Sequence, residues 1–171
     1  GTLIEEPAGK EEKDKVIGSP PDLRFLPHAV EALKMLRRKN YLLFVISNQE
    51  VINRGYLSKE TFDLLNSIMD KTLSEHGVVI ERWMVCPHMP REKCACRKPK
   101  TGMVKSIIKD YSIDLRNSYV IGDRKSDVVM GKRLGARTVL VKWNEKRYAA
   151  TKLKPTVKAS NLFVAARRIS I

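Results

Sequence analysis

The sequence predicts an α/β protein built on a doubly wound parallel sheet. Short apolar runs of strand length, such as Leu42–Ile46, Tyr119–Ile121 and Thr138–Val141, alternate with segments of helical period. Polar residues cluster just after those runs, at Ser47-Asn48-Gln49, from Cys86 onward, and at Gly122-Asp123. In an open parallel sheet ligands bind outside the carboxyl ends of the strands, so these clusters are where chemistry is to be sought.

Each element has its own local justification. Residues 5–24 are polar and rich in Lys, Glu, Gly and Pro, and read as an exposed loop. Ala29, Ala32 or Leu33, and Leu36 recur at helical spacing, and Arg37-Arg38-Lys39-Asn40 closes that helix with the charge its carboxyl end favours. Leu42–Ile46 is apolar throughout, as a strand covered on both faces requires. Ser58 caps a helix whose inner side carries Phe62, Leu65, Ile68 or Met69, and Leu73, and Gly77 ends it. Arg82–Val85 is a short strand leading into a Cys/Pro/Lys-rich loop that runs to Lys100. Thr101 caps the next helix, with Val104, Ile107, Ile108 and Tyr111 facing inward. Tyr119–Ile121 is a strand; Ser126 caps the helix after it, which stops at Gly135; Thr138–Val141 is a further strand. Thr156–Ala159 reads as a last strand, with Ser160 or Asn161 capping a final helix through Ile169. No internal repeat or low-complexity tract interrupts this pattern.

At 171 residues the chain is long enough for one domain with its own core. Its longest apolar run, Tyr41–Ile46, is far short of a bilayer span, so no membrane helix is expected. Gly1-Thr2-Leu3-Ile4 does not read as a signal peptide, which points to the cytoplasm. The net charge of +14 draws anions, whether phosphorylated metabolites or nucleic acid, or else marks a solvated basic surface. Much of it comes from Lys142, Lys146, Arg147, Lys152, Lys154, Lys158, Arg167 and Arg168, set against Glu145. Aromatics make up only 6% and are not interleaved with these cations, so a small phosphorylated metabolite, not nucleic acid, is the expected partner. A monomer is expected.

All three cysteines fall between Cys86 and Cys96. An odd, clustered set argues against a disulfide framework and for a metal. Cys86-x-His88 and Cys94-x-Cys96 offer three thiols and one imidazole, the ligands a tetrahedral Zn²⁺ prefers, and four protein ligands make a closed structural site. The alternative is free cysteines beside an unrelated histidine.

A second constellation points to phosphate. Asp123 and Asp127, in Gly122-Asp-Arg-Lys-Ser-Asp127, offer hard oxygen ligands for Mg²⁺ at a strand end, although an Asp at a helix start is often only a cap. Ser47 presents a hydroxyl after a strand, with Asn48 and Gln49 beyond it. Lys98 can neutralise a phosphate and Arg97 can clamp a second group, though singly each is more often a surface charge. Ser47, Lys98 and Asp123 together form a set of hydroxyl donor, cation and metal carboxylate.

These motifs resemble the haloacid dehalogenase superfamily of phosphohydrolases over nearly the whole chain. More closely, they resemble its zinc-bearing branch of D-glycero-D-manno-heptose 1,7-bisphosphate phosphatases and histidinol-phosphate phosphatases. The residues that carry the likeness are Gly1-Thr2-Leu3-Ile4, Ser47-Asn48-Gln49, Cys86-Pro-His88, Cys94-Ala-Cys96-Arg-Lys-Pro99 and Gly122–Asp127. The resemblance implies a three-layer, Rossmann-like fold without a large cap domain. It implies an aspartyl-phosphate mechanism in which Asp123 ligates Mg²⁺ and Asp127 ligates or supports it. Ser47 would hydrogen-bond the phosphoryl group and Lys98 balance its charge; Arg97, Asn48 and Gln49 would contact substrate. Zinc, held by Cys86, His88, Cys94 and Cys96 in the 86–96 loop, would fix the segment that delivers Arg97 and Lys98.

Two departures stand out. The family's Asp-x-Asp, which supplies nucleophile and general acid/base, would lie directly ahead of Gly1, so residues 1–171 read as one phosphatase domain lacking its first strand. A parallel sheet without that strand should contain a groove with unpaired backbone groups. Glu50-Val51-Ile52-Asn53 also stands where relatives carry a small, Gly-containing stretch. Heptose 1,7-bisphosphate, hydrolysed at the 7-phosphate, is the favoured substrate and histidinol phosphate the alternative. A non-catalytic, zinc-stabilised module binding anions or nucleic acid is the rival of another class.

Overall fold

The computed structural model describes residues 1–8, 11–142 and 153–170. Glu145, Lys146, Arg147 and Lys152 of the basic tail lie outside the described residues. The helices are α1 (Ala29–Arg38), α2 (Lys59–Glu75), α3 (Gly102–Asp110), α4 (Lys125–Leu134) and α5 (Leu162–Arg168). The strands are β1 (Phe44–Asn48), β2 (Arg82–Cys86), β3 (Tyr119–Gly122), β4 (Arg137–Leu140) and β5 (Val157–Lys158). Every pairing of these strands is parallel, and helices separate most of them in the chain, as the alternation of patterns predicts. No separate cap domain is present among the described residues.

The expected single sheet is divided in two. One sheet has the order β1-β2, the other β3-β4-β5. Strands β1 and β3 both line a cleft of about 700 Å³, through Val45 and Ile46 on one side and Val120 and Ile121 on the other. Leu36, Met69, Ile107 and Met130 also face this space. The cleft explains a discrepancy in β1. A strand of that composition should be covered on both faces, yet all five of its residues are only half-buried. The strand also begins later than its apolar run, since Leu42 is exposed and the first tie to the β2 segment runs from Glu81 N–H to the Leu43 carbonyl at 2.8 Å.

Apolar burial holds the molecule together, and its main cluster draws on residues of both sheets. Ala32, Leu33 and Leu36 of α1 pack with Ala165 and Ala166 of α5 and Val139 of β4. A second cluster, Leu57, Phe62 and Leu65, receives Val16, Ile17 and Leu23. Residues 5–24 are therefore more than an exposed loop. Two 3₁₀ turns (Glu12–Lys15 and Pro20–Asp22) and an antiparallel bridge between Ile4 and Phe25 shape them, and three apolar side chains anchor them. The polar composition of the segment concealed those anchors.

Helix ends follow capping chemistry with two corrections. Ser58 Oγ accepts the Thr61 N–H at 3.1 Å and Asn161 Oδ1 accepts the Val164 N–H at 2.8 Å, so Asn161 is the cap of α5. Gly135 ends α4 in the left-handed region at φ 74°. Thr101 occupies the position before α3, but its side chain makes no capping bond. Ser126 is not the cap of α4. That helix opens two residues earlier than a cap at Ser126 would have it, at Lys125, and the Asp127 carboxylate reaches back to the Arg124 N–H at 3.0 Å.

Candidate active site and metal loop

Strand register brings the two constellations together. In the β1–β2 ladder Ser47 lies opposite Val85 and Asn48 opposite Cys86, and the Gln49 N–H continues the ladder to the Cys86 carbonyl at 2.8 Å. The loop that leaves β1 is thus bonded to the first residue of the cysteine loop. Ser47, Gln49, Lys98, Asp123 and Asp127 all line the polar end of the cleft.

Lys98 is held by two partners. Its Nζ donates to the Ile46 carbonyl at 2.7 Å and pairs with Asp127 Oδ1 at 2.7 Å. Asp127 is 4% exposed, and both of its oxygens are engaged, Oδ1 by Lys98 and Oδ2 by the Arg124 N–H. Gly122 permits this arrangement, because a Cβ there would stand 2.3 Å from the Asp127 carboxylate.

Asp123 is 7% exposed. Its Oδ1 accepts the Thr2 hydroxyl at 2.9 Å, and Arg124 Nε stands 3.3 Å from Oδ2. Burial works to raise its pKa, but the terminal ammonium that residues 1–171 carry at Gly1, the Thr2 hydroxyl and the Arg124 guanidinium outweigh it and hold the carboxyl of this chain below its ordinary value. The result is an ionised carboxylate at a strand end, a donor of the type Mg²⁺ selects.

Gln49 Nε2 donates to Ser47 Oγ at 2.8 Å. Asn48 does not face the cleft as a free contact, since both polar atoms of its side chain bond the Lys98 peptide. Arg97 does not line the cleft either: it donates to the His88 carbonyl at 2.8 Å and pairs with Glu50. Sequence reasoning gave no role to Thr2 or to Glu50 as a partner of Arg97. The unusual Glu50–Asn53 stretch was the available signal.

In the cysteine loop one ligand atom from each of Cys86, His88, Cys94 and Cys96 lies within 4.8 Å of all the others. Cys86 Sγ stands 3.6 Å from His88 Nδ1, 3.6 Å from Cys94 Sγ and 3.2 Å from Cys96 Sγ. A tetrahedron with Zn–S arms of about 2.3 Å has edges of about 3.8 Å, so four donors at nearly this spacing fit one Zn²⁺. Burial and the hydrogen bonds of its neighbouring thiols push the Cys86 thiol up to about 12. For Cys94 burial acts upward, but the Arg97 N–H and the Cys96 and Cys86 thiols prevail and bring it down to about 7. A metal at this point would replace that thiol network with thiolate ligation.

Comparison with known proteins gives the chain its relatives. Residues 95–164 match the HAD-hydrolase-like family model. The chain is 42% identical over 129 residues to the D-glycero-beta-D-manno-heptose-1,7-bisphosphate 7-phosphatase of Haemophilus ducreyi, covering 71% of each chain. It is 37% identical over 137 residues to the histidine biosynthesis bifunctional protein HisB of Campylobacter jejuni, covering 80% of this chain but 38% of HisB. Its fold superposes with a TM-score of 0.81 on the D,D-heptose 1,7-bisphosphate phosphatase of B. bronchiseptica, solved with magnesium and phosphate, at 26% identity over 95% of this chain and 92% of that one. A parallel α/β fold with an acidic, lysine-bearing site at its strand ends defines a class of hydrolase, and the chain belongs to it: it is a member of the haloacid dehalogenase-like phosphatases.

Proposed function

We propose that this protein is a Mg²⁺-dependent phosphomonoesterase of small-molecule metabolism whose substrate is D-glycero-D-manno-heptose 1,7-bisphosphate, cleaved at the 7-phosphate. The observation that carries this reading is the convergence of Ser47, Lys98 and Asp123 on one cleft, in a chain so similar to heptose bisphosphate phosphatases.

In this reading Asp123 supplies an anionic oxygen to Mg²⁺, and the ion, when bound, shields the negative charges of phosphate and nucleophile from one another. Lys98, fixed between the Ile46 carbonyl and Asp127, presents a cation to the transferring phosphoryl group. Asp127, with both oxygens engaged, holds Lys98 and the start of α4 and so supports the site. Ser47 offers its hydroxyl to a phosphoryl oxygen, and Gln49 keeps it oriented. The attacking carboxylate and the acid/base carboxylate would stand on a strand in the cleft between β1 and β3, directly ahead of Gly1. The phosphoryl group would pass to the first carboxylate as the second protonates the leaving alcohol, and water would then release phosphate. The cleft's apolar walls and polar end suit such a strand.

Cys86, His88, Cys94 and Cys96 would hold Zn²⁺ as a structural ion that fixes the loop bearing Lys98. Thiols kept reduced for a metal fit the cytoplasm. Histidinol phosphate is the second reading, favoured by the similarity to HisB over 80% of this chain.

The test is phosphate release by the full-length gene product from heptose 1,7-bisphosphate and from histidinol phosphate, with and without Mg²⁺. Mg²⁺-dependent turnover of the heptose ester, abolished in Asp123→Asn with the fold intact, is expected. Turnover of histidinol phosphate alone would select the second reading. Release from neither, together with salt-dependent binding of nucleic acid, would replace both with the binding module.

A further inference from the structure

Glu50 sits between two cleft-lining residues, Gln49 and Val51, on the loop that leaves β1. Its carboxylate is fully engaged. Oε1 accepts from Arg54 Nε at 3.0 Å and from Arg54 Nη2 at 2.7 Å, and Oε2 accepts from Arg97 Nη2. The other arm of Arg97, Nη1, is taken by the His88 carbonyl at 2.8 Å. Glu50 and Arg97 side chains are 21% and 22% exposed, so solvent screens their pairing less than it would at an open surface. Arg97 in turn precedes Lys98, which lines the cleft. Glu50 and Arg97 therefore each adjoin a cleft-lining residue in the chain.

We propose that Glu50 is a specificity-determining residue, which competes with the second anionic group of a substrate for Arg97 and so sets the preference between doubly and singly phosphorylated esters. The proposal rests on the phosphatase reading above. Two guanidinium groups alone would place two positive charges beside the cleft. Glu50 cancels one of them. It also takes the arm of Arg97 that, with Nη1 already on a carbonyl, would complete a two-point grip on a phosphate. A second phosphate reaching Arg97 must displace Glu50, and a substrate with one phosphate has no such demand. The effect of Glu50 is accordingly selective by substrate, which a purely structural tie is not. The two loops also stay joined without it, through the bonds of Asn53 to Glu92, of Gln49 to Cys86, and of Asn48 to Lys98.

The experiment compares the full-length gene product with its Glu50→Gln, Arg97→Gln and doubly substituted forms. KM and kcat are measured for heptose 1,7-bisphosphate and for 4-nitrophenyl phosphate, with zinc content and Tm as checks on the fold. Calorimetric titration of fructose 1,6-bisphosphate and fructose 6-phosphate, with Mg²⁺ withheld, gives a preference that needs no turnover. Glu50→Gln is expected to raise the preference for the bisphosphate of each pair by roughly twofold to fivefold, the scale of one partly exposed ion pair. The change should appear in KM and not in kcat, and should vanish in the Arg97→Gln background. Equal effects on both esters, no effect, or an effect that survives Arg97→Gln would overturn the proposal. Should the unsubstituted protein release no phosphate, the phosphatase reading fails; the titration still decides the proposal, and an unchanged ratio of Kd values sinks it. If Glu50→Gln loses zinc or folds poorly, Glu50→Asp decides instead: by shortening the reach to Arg97 it should raise the same preference, and an unchanged preference overturns the proposal.

Discussion

Asn48 lays its side-chain amide against the Lys98 peptide and makes a bond in each direction: Nδ2 donates to the Lys98 carbonyl at 3.1 Å, and Oδ1 accepts the Lys98 N–H at 2.9 Å. One amide thereby does the work of an adjoining strand. It decides where the Lys98 Cα stands, and so where Nζ can reach. Asn48→Ala should cost about 1–2 kcal/mol of stability for the two lost bonds, read from urea unfolding. It should also lower kcat of the full-length enzyme, but add no further loss in a Lys98→Ala background. Additive losses would mean that Asn48 acts on the substrate directly.

Gly122→Ala puts a methyl where the Asp127 carboxylate now lies, 2.3 Å from its nearest atoms. That carboxylate cannot withdraw without leaving Lys98 and the Arg124 N–H. The expected outcome is a loss of about 1–3 kcal/mol, the usual scale of overpacking, with activity falling further than stability accounts for. Unchanged unfolding would show that β3 and α4 can separate at no cost.

The cysteine loop should take up zinc with release of protons. At pH 7 the metal-free Cys86 thiol, raised to about 12, is protonated, and Cys94, at about 7, is half ionised. Ligation requires thiolates, so more than one proton per zinc should be released at pH 7, and affinity should climb with pH. Titration of chelator-stripped protein in two buffers of different ionisation enthalpy gives the proton count. Cys94→Ser should lower zinc occupancy and Tm before any fall in turnover, and full zinc in that variant would remove Cys94 from the ligand set.

Asp123 gives the fold an acid dependence. Its folded pKa is depressed, so its ionised form contributes stability that is present above the unfolded value of about 3.9 and is lost as pH falls through the folded value. Because the Gly1 ammonium is the first of the groups that depress it, the test belongs to residues 1–171: their stability should drop below about pH 4 more steeply than that of the same chain carrying Asp123→Asn. Parallel curves would show that the carboxyl has no special stabilisation.

Short-range features of the fold were legible in the sequence. Apolar period placed the five α-helices of the described residues and the strands between them, and Ser58 and Gly135 marked helix ends through their own backbone chemistry. The groove in the sheet followed only from the resemblance to the phosphatase family, not from the residues themselves. Contacts made across the chain were not legible. Asn48 reads as a substrate contact because nothing local reveals that the Lys98 peptide, 50 residues on, comes within reach of its amide. Arg97 looks free in the sequence for the same reason, since Glu50 closes on it from 47 residues away. In residues 5–24 the polar majority outweighs Val16, Ile17 and Leu23, whose partners lie on another element.

Among the described residues the facing edges of β1 and β3 have no partner strand, with a consequence for handling residues 1–171. A strand edge without a neighbour is adhesive, because its N–H and C=O groups accept any chain of suitable alternation. Val45, Ile46, Val120 and Ile121 bring none of the charge that usually keeps such edges from joining their copies. Solubility is thus decided in the same crevice as the chemistry. Peptides or truncations that leave the crevice empty should precipitate first, and a strand seated there should act as the protein's own chaperone.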